Sequence, residues 1–275
     1  MALYKYCNEA GKYIFQNLEI KATPANELND VCEMRPVVKN SDPMAWAERF
    51  LTKTLADPSY FMKNAGLFRR KTFTEFQVFA NSHRDDLLVQ LAKASPKLDE
   101  HLQKEFVDIL SAKWGVVSLS DRPLEHKMWA LYADAHKGLL VEFDQTNGLF
   151  NNPSCVKCEY CDIPVVYDVL PEGNHAAIEQ IARQKRTEWA YENESRLIVP
   201  FSECRKTTKD ALTLYLFPLD PLVIVSVTFG LRTPDPLKHE VLTALTRPEL
   251  RHVTKWQIEQ GKGATPHDLR QAQLP

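Results

Sequence analysis

Gly115-Val-Val-Ser-Leu-Ser120 reads as a β-strand and begins the strand-rich part of the chain. Residues two apart on an extended chain share a face, so Ser118 and Ser120 point one way while Leu119 points into a core. Working toward the C-terminus, Gly138-Leu-Leu-Val-Glu-Phe-Asp144 is a second strand, and residues 157–161 and 165–167 form a third, kinked at Pro164. Ser195-Arg-Leu-Ile-Val-Pro-Phe201, residues 215–217 and residues 223–229 add three more, the last turning at Gly230. Residues 128–136 suit a short helix. Residues 176–191 suit a longer one, with Ile178, Ile181 and Ala182 on one face. Residues 211–217 fit a helix as well as a strand.

Toward the N-terminus the periodicity changes. From about residue 42 to residue 112 apolar residues recur at helical spacing: Trp46, Phe50 and Leu51, then Phe73, Phe76 and Phe79, then Leu98, Leu102, Phe106, Ile109 and Leu110. Asp42-Pro43 is a helix N-cap with Pro in the first turn, and Ser95-Pro96 is a second helix start. Ahead of this block, residues 4–6 read as a short strand and residues 13–18 as a short helix. Residues 19–21 form another strand, followed by the polar turn Pro24-Ala-Asn-Glu-Leu-Asn-Asp30. Helices in one block and strands around it imply an α+β protein. The expected architecture is a mixed, mainly antiparallel sheet core in one domain, residues 1–275, with a helical insertion at about 42–112.

The chain has 275 residues, 44% hydrophobic and 25% charged, with a formal net charge of -2. That near-balance excludes the strongly basic footprint of a chain that coats nucleic acid. Six cysteines in this length are too sparse for a secreted disulfide framework. The polar, aromatic N-terminus has no signal-like apolar run, and the apolar run at 222–227 is far too short to span a membrane. These features lead to the expectation of a cytoplasmic protein with no membrane partner.

Four clusters carry candidate chemistry. Ser118 and Ser120, facing one way, could hold ribose hydroxyls or a phosphate; the alternative is a strand end at which Ser120 or Asp121 caps the next turn. Trp129, Tyr132 and His136 fall at i, i+3 and i+7, one helix face offering a π surface and an imidazole to a base or a nicotinamide. Otherwise Trp129 and Tyr132 are core residues, and His136 sits at a helix C-terminus that Gly138 ends. In Trp189-Ala-Tyr-Glu192-Asn-Glu194-Ser-Arg196 the charges alternate. An extended chain would place Glu192, Glu194 and Arg196 on one face, where they must be paired or used if buried. The alternative there is a solvated edge strand with its own Glu–Arg pair. Cys155, Cys158 and Cys161 have overlapping C-x-x-C spacing suggestive of zinc but lack a regular fourth ligand, so no metal is expected. Asn29, Asp30 and Glu33 could grip a hydroxyl or a cation, or simply stabilise their own turn.

Together these stretches resemble a bacterial domain family of unknown function. Its members carry an L-Y-K-Y-like strand, an N-D-P-F-E-like turn, an S-L-S strand, M-W-x-x-Y-A-x-x-H-x-G and W-x-x-E-x-E-x-R. Here these are Leu3-Tyr4-Lys5-Tyr6, Asn29 to Glu33, Ser118 to Ser120, Met128 to Gly138 and Trp189 to Arg196. Val31-Cys32 replaces the family's Pro-Phe. The motif order is also similar, more distantly, to that of ADP-ribosyltransferases. That resemblance implies an ADP-ribosyltransferase-like sheet and NAD as substrate, in an NAD-dependent ADP-ribosyltransferase or NAD glycohydrolase. It implies Glu194 and Glu192 as catalytic carboxylates, with Tyr4, Lys5, Tyr6, Ser118, Ser120, Trp129, Tyr132, His136 and Arg196 around the nucleotide. A macromolecular acceptor, protein or nucleic acid, and a role as a bacterial toxin or phage-defence effector would follow. The competing expectation is a non-catalytic sensor or effector module binding a nucleotide or a protein in the same cleft; a nuclease is a weaker third.

Overall fold

The computed structural model describes residues 2–68, 72–168, 175–209, 212–261 and 268–275. Along the chain, β1 (Ala2–Cys7), α1 (Lys12–Asn17), β2 (Glu19–Pro24) and β3 (Val37–Lys39) precede four helices, α2 (Pro43–Ala56), α3 (Pro58–Phe68), α4 (Phe73–Ser82) and α5 (Arg84–Lys113). There follow β4 (Trp114–Ser120), α6 (His126–Tyr132), β5 (Leu139–Asp144), β6 (Cys155–Lys157), β7 (Glu159–Tyr160), β8 (Val166–Asp168), α7 (His175–Arg183) and β9 (Gln184–Lys185). The last elements are β10 (Glu194–Pro200), β11 (Arg205–Lys209), β12 (Leu212–Pro218), β13 (Ile224–Phe229), α8 (Asp235–Ala244), β14 (Thr254–Gln260) and β15 (Leu269–Gln273). The protein is a mixed α+β chain built on a large, mainly antiparallel sheet. Among the described residues no helix is long and apolar enough to cross a membrane.

Two compact units form. The first comprises Met1–Met34, Asp108–Ile163 and Glu179–Pro275. It holds the sheet, whose strands run β11-β12-β2-β4-β1-β5-β13-β14-β15, with β10 on β4 and β6 on β10. All of these pairs are antiparallel except β13 with β14. Alternation along β5 builds both faces of the sheet. Leu139, Val141 and Phe143 point into a core shared with Ile14 and Phe15 of α1 and Leu237 and Val241 of α8, while Leu140 joins Tyr6, Met128 and Trp129 on the α6 side. The second unit, Arg35–Val107 with Pro164–Ile178, is mostly helical. Its core joins Phe50 and Leu51 to Phe61, Phe76 and Leu91. The Asp42 carboxylate accepts from the Ala45 N–H at 3.0 Å, so the expected N-cap with Pro43 in the first turn forms.

Several local expectations are corrected. Ser95-Pro96 starts no helix, because α5 runs through it; in its stripe Leu110 is buried but Ile109 is exposed. The side chains of Leu98, Leu102 and Ile178, and residue Ala211, lie outside the described residues. Residues 212–218 are a strand, β12. The stretch 157–167 is not one kinked strand: β6 joins the large sheet, β7 pairs with β9 and β8 with β3. The expected helix 176–191 stops at Arg183, and residues 187–192 form a 3-10 turn after β9. The helix expected over 128–136 ends at Tyr132, because Asp134, Ala135 and His136 all take positive φ, at 45°, 50° and 69°. Gly138 still closes this corner: its N–H donates to the Ala133 carbonyl at 2.8 Å. A Cβ there would lie 1.9 Å from the Cys7 carbonyl oxygen, so only glycine lets the chain approach β1 this closely.

Candidate functional site

β4 is where the sheet divides. One edge of β4 pairs with β10 along its whole length. The other edge is shared: Gly115 and Val116 pair with β2, Ser120 pairs with Tyr4 of β1, and residues 117–119 lie between the two strands. Lys5 reaches across this gap, its ammonium donating to the Ser118 carbonyl at 3.1 Å. A cavity of about 180 Å³ opens there, lined by Tyr4, Lys5 and Tyr6, by Ser118 and Ser120, by Tyr132 and Trp189, and by Glu33, Glu192 and Glu194. One water needs only about 10–15 Å³, so this hollow is far larger than a packing void. Across the sheet Tyr4, Ser120 and Glu194 stand opposite one another in a single row over three adjacent strands.

At the floor of the cavity three carboxylates meet two cations. The Lys185 ammonium bonds Glu194 Oε2 at 2.7 Å, Glu33 Oε1 at 3.0 Å and, more closely still, Glu192 Oε2. The Arg196 guanidinium, fully buried, donates through Nη2 to Glu33 Oε2 and to Glu194 Oε2, the latter at 3.0 Å, and through Nη1 to the Ala182 carbonyl at 2.9 Å. The Tyr132 hydroxyl donates to Glu192 Oε1. Five of the six carboxylate oxygens are thereby engaged. Glu194 Oε1 is the exception: it has no hydrogen-bond partner among the described residues, and Glu194, only 3% exposed, borders the cavity. Such a buried cluster persists only because its charges are mutually paired.

Local backbone explains the convergence. Asn193, left-handed at φ 42°, ends the 3-10 turn, so Glu192 precedes β10 and does not lie on it. The segment after β6 clamps both sides of the cluster. Cys158 N–H donates to the Glu194 carbonyl at 2.9 Å and Cys161 N–H to the Lys185 carbonyl at 2.8 Å, while the Tyr160 hydroxyl accepts from the Glu194 N–H at 2.7 Å. The three cysteines with metal-like spacing are thus a strap. Cys158 is buried and donates weakly to Glu194 Oε2, Cys155 sits in β6, and Cys161 is exposed. Among the described residues no group of three or more His, Cys, Asp or Glu is arranged to hold a metal ion; between the three carboxylates stands the Lys185 ammonium.

The electrostatics follow from burial and pairing. Burial pushes the Glu194 carboxyl up, but Arg196 and Lys185 beside it outweigh this and hold it down at about 2. Glu33 moves the other way: burial exceeds the pull of Arg196 and Lys185, and its carboxyl is raised. Burial opposes the charge of Lys185, yet Glu194, Glu33 and Glu192 together raise its ammonium. Tyr132 is raised by burial and by its bond to Glu192, and Lys5 is lowered by burial. For Glu194 the unfolded chain holds its proton to 4.5 and the folded chain releases it down to about 2. Its ionisation therefore stabilises the fold above pH 4.5, and that contribution disappears as the pH falls toward 2. Glu33, raised on folding, acts with the opposite sign: its penalty at neutral pH is relieved on acidification. Melting curves recorded from pH 6 to pH 2.5 are expected to fall less steeply below pH 4.5 for Glu194→Gln than for wild type. Parallel curves would show that Glu194 is not held ionised by the fold.

The cavity thus collects Tyr4, Lys5, Tyr6, Ser118, Ser120, Tyr132, Glu192 and Glu194. Arg196 lies behind it, touching the ligand space only through Glu194 and Glu33. Glu194 and Arg196 share a face of β10, but the strand is paired on both sides and its pair is buried, so the solvated-edge alternative does not describe it. Trp129 is fully buried, its indole N–H donating to the Pro123 carbonyl at 2.9 Å, and so cannot stack on a ligand. His136 stacks on Trp129 at 5.9 Å but borders a different hollow, with His126 and Arg232; the positive-φ residues turn it away. Ser120 combines both expectations, bordering the cavity while its hydroxyl donates to the Glu192 carbonyl and accepts from the Arg122 N–H. Asp30 stabilises its own turn through the Cys32 N–H and also holds the Trp189 indole at 3.0 Å. Glu33 does grip cations, the chain's own. Lys185 and Trp189 escaped the reading of the sequence. Trp189 stood inside a quoted motif, whereas nothing local marks Lys185. No family model, curated protein or solved structure matches this chain.

Proposed function

We propose that this chain is an ADP-ribosyltransferase-like enzyme that cleaves NAD and passes ADP-ribose to a macromolecular acceptor or to water. The observation that carries the reading is Glu194 Oε1, a carboxylate oxygen without a partner beside a cavity framed by serine and tyrosine hydroxyls. In this reading the sheet divided at β4 is of the ADP-ribosyltransferase-like type. The five ordered motifs, all of which border the cavity, support placing the chain in the bacterial family they resemble. The nicotinamide–ribose bond breaks with its electron pair leaving on nicotinamide, and positive charge develops on the ribose, as in glycoside chemistry. Glu194 Oε1, ionised at neutral pH, accepts from the ribose 2′-hydroxyl and stabilises that charge. Glu192, bonded to the Tyr132 hydroxyl, takes the proton of the attacking acceptor. Ser118, Tyr4 and Lys5 border the sugar, and Tyr132 with Trp189 borders the ring. A role as a toxin or phage-defence effector is the context in which such an activity acts on a macromolecule.

One observation favours a second reading. The cluster is already closed by its own cations, which suits a module that binds a nucleotide without turning it over. Incubating the protein with NAD, alone and with protein and nucleic-acid acceptors, separates the two. Release of nicotinamide is expected. Saturable nucleotide binding with no nicotinamide released under any condition would establish the sensor instead.

A further inference from the structure

We propose that Lys185 is the positioning residue of this site: its ammonium, the counter-charge that Glu33, Glu192 and Glu194 share, holds the Glu192 and Glu194 carboxylates side by side at the cavity. The proposal deepens the reading of Glu194 as the working carboxylate and rests on it.

An ammonium has three N–H donors. Those of Lys185 have three carboxylate partners, Glu33, Glu192 and Glu194, and the side chain is 5% exposed. No donor remains for a substrate, so Lys185 acts through the carboxylates and not on the ligand. Its position is fixed by the backbone. Tyr160 stands opposite Lys185 in the β7–β9 pair, and the Cys161 N–H holds the Lys185 carbonyl. On Glu194 the donors Lys185, Arg196 and Cys158 all converge on Oε2, which leaves Oε1 without a hydrogen-bond partner among the described residues.

Arg196 cannot replace this function. Its two terminal nitrogens serve Ala182, Glu33 and Glu194, and neither reaches Glu192. Lys185 is the cation that Glu192 and Glu194 share. Remove it, and two neighbouring carboxylates lose their common counter-charge, so that one takes up a proton more readily. The charged and titratable groups facing Glu194 are Lys185 from β9, Arg196 from its own strand, Glu33, Glu192, Cys158, Tyr160 from β7 and, from β1, Lys5. Two of the three cations remain in the variant, so the effect expected is a shift of titration, not loss of all pairing.

The test observes the carboxyls directly. Protein labelled with carbon-13 at the glutamate side-chain carboxyls is titrated from pH 7 to pH 4.5, the Glu194 signal being assigned by its absence in Glu194→Gln. In wild type that signal is expected to stay fixed; in Lys185→Met it is expected to move within the window. Should Lys185→Met fail to fold, the double variant Lys185→Met/Glu33→Gln removes one charge of each sign and is measured in its place. Nicotinamide release supplies the functional arm: the acid limb of its pH profile should rise by about two units or more in the variant, the shift that brings Glu194 into the window. A Glu194 signal that stays fixed without Lys185 overturns the proposal, because Arg196 alone would then hold the carboxylate. A wild-type protein that releases no nicotinamide defeats the NAD reading instead, and the carbon-13 result still decides whether Lys185 governs Glu194.

Discussion

Glu194→Gln is expected to lower nicotinamide release by about a hundred- to a thousand-fold, a loss of about 2.7–4 kcal/mol of transition-state stabilisation. Glutamine keeps the size of glutamate and one carbonyl oxygen. That oxygen takes the place of Oε2, accepting from Lys185 and Arg196. The amide nitrogen then stands where Oε1 stood and offers N–H donors to a centre that is gaining positive charge. The fold should suffer much less. Glu33, Glu192 and Glu194 face Lys185 and Arg196, so removing one carboxylate leaves two charges of each sign. Nicotinamide release and melting temperature measured together separate the effects. A variant as active as wild type would clear Glu194 and shift the role to Glu192.

Arg196→Met should do the reverse, striking the fold before the chemistry. It leaves three buried carboxylates with Lys185 as the cation that bonds them, and the Ala182 carbonyl loses its donor. Breaking a buried pair from one side typically costs about 3–5 kcal/mol, which for a chain of this size lowers the melting temperature by roughly 10 °C or more. Glu33→Gln should cost less, because it removes a charge from the side already in excess. A melting temperature for Arg196→Met within a degree or two of wild type would place the pair with exposed ones, worth about 0–1 kcal/mol. The solvated-edge reading of β10 would then hold, and the closed network described above would be wrong.

Much of the sheet was legible in the sequence. Strand β4 and the strands at 139–144, 194–200 and 224–229 appear as short β-branched or alternating runs, and their period is a local property of the chain. The Asp42 cap was legible for the same reason. Helix ends were not. Residues 128–136 keep a helical spacing of aromatics past the point where Asp134 turns left-handed, because Gly138 must close against Cys7 of a strand more than a hundred residues earlier. The strands at 205–209 and 269–273 are rich in polar residues and carry no apolar alternation that would announce them, and the one at 254–260 alternates only at Trp256 and Ile258.

For the site the division is similar. The sequence by itself determined which residue types were present for chemistry: serines two apart on a strand, carboxylates around Asn193 and an aromatic hydroxyl at Tyr132. It also implied that charges so embedded in apolar text need partners. Only the tertiary structure decided who those partners are. Arg196 bonds Glu33 across 163 residues of chain, and Tyr132 reaches Glu192 across 60. Lys185, with no local signal of its own, becomes the shared counter-ion because β9 lies beside β7 and the strap from Cys158 to Cys161 ties it to Glu194. Local sequence fixes periodicity and facing. Pairing of buried charges is set by through-space distance and desolvation, and those exist only once the strands have assembled.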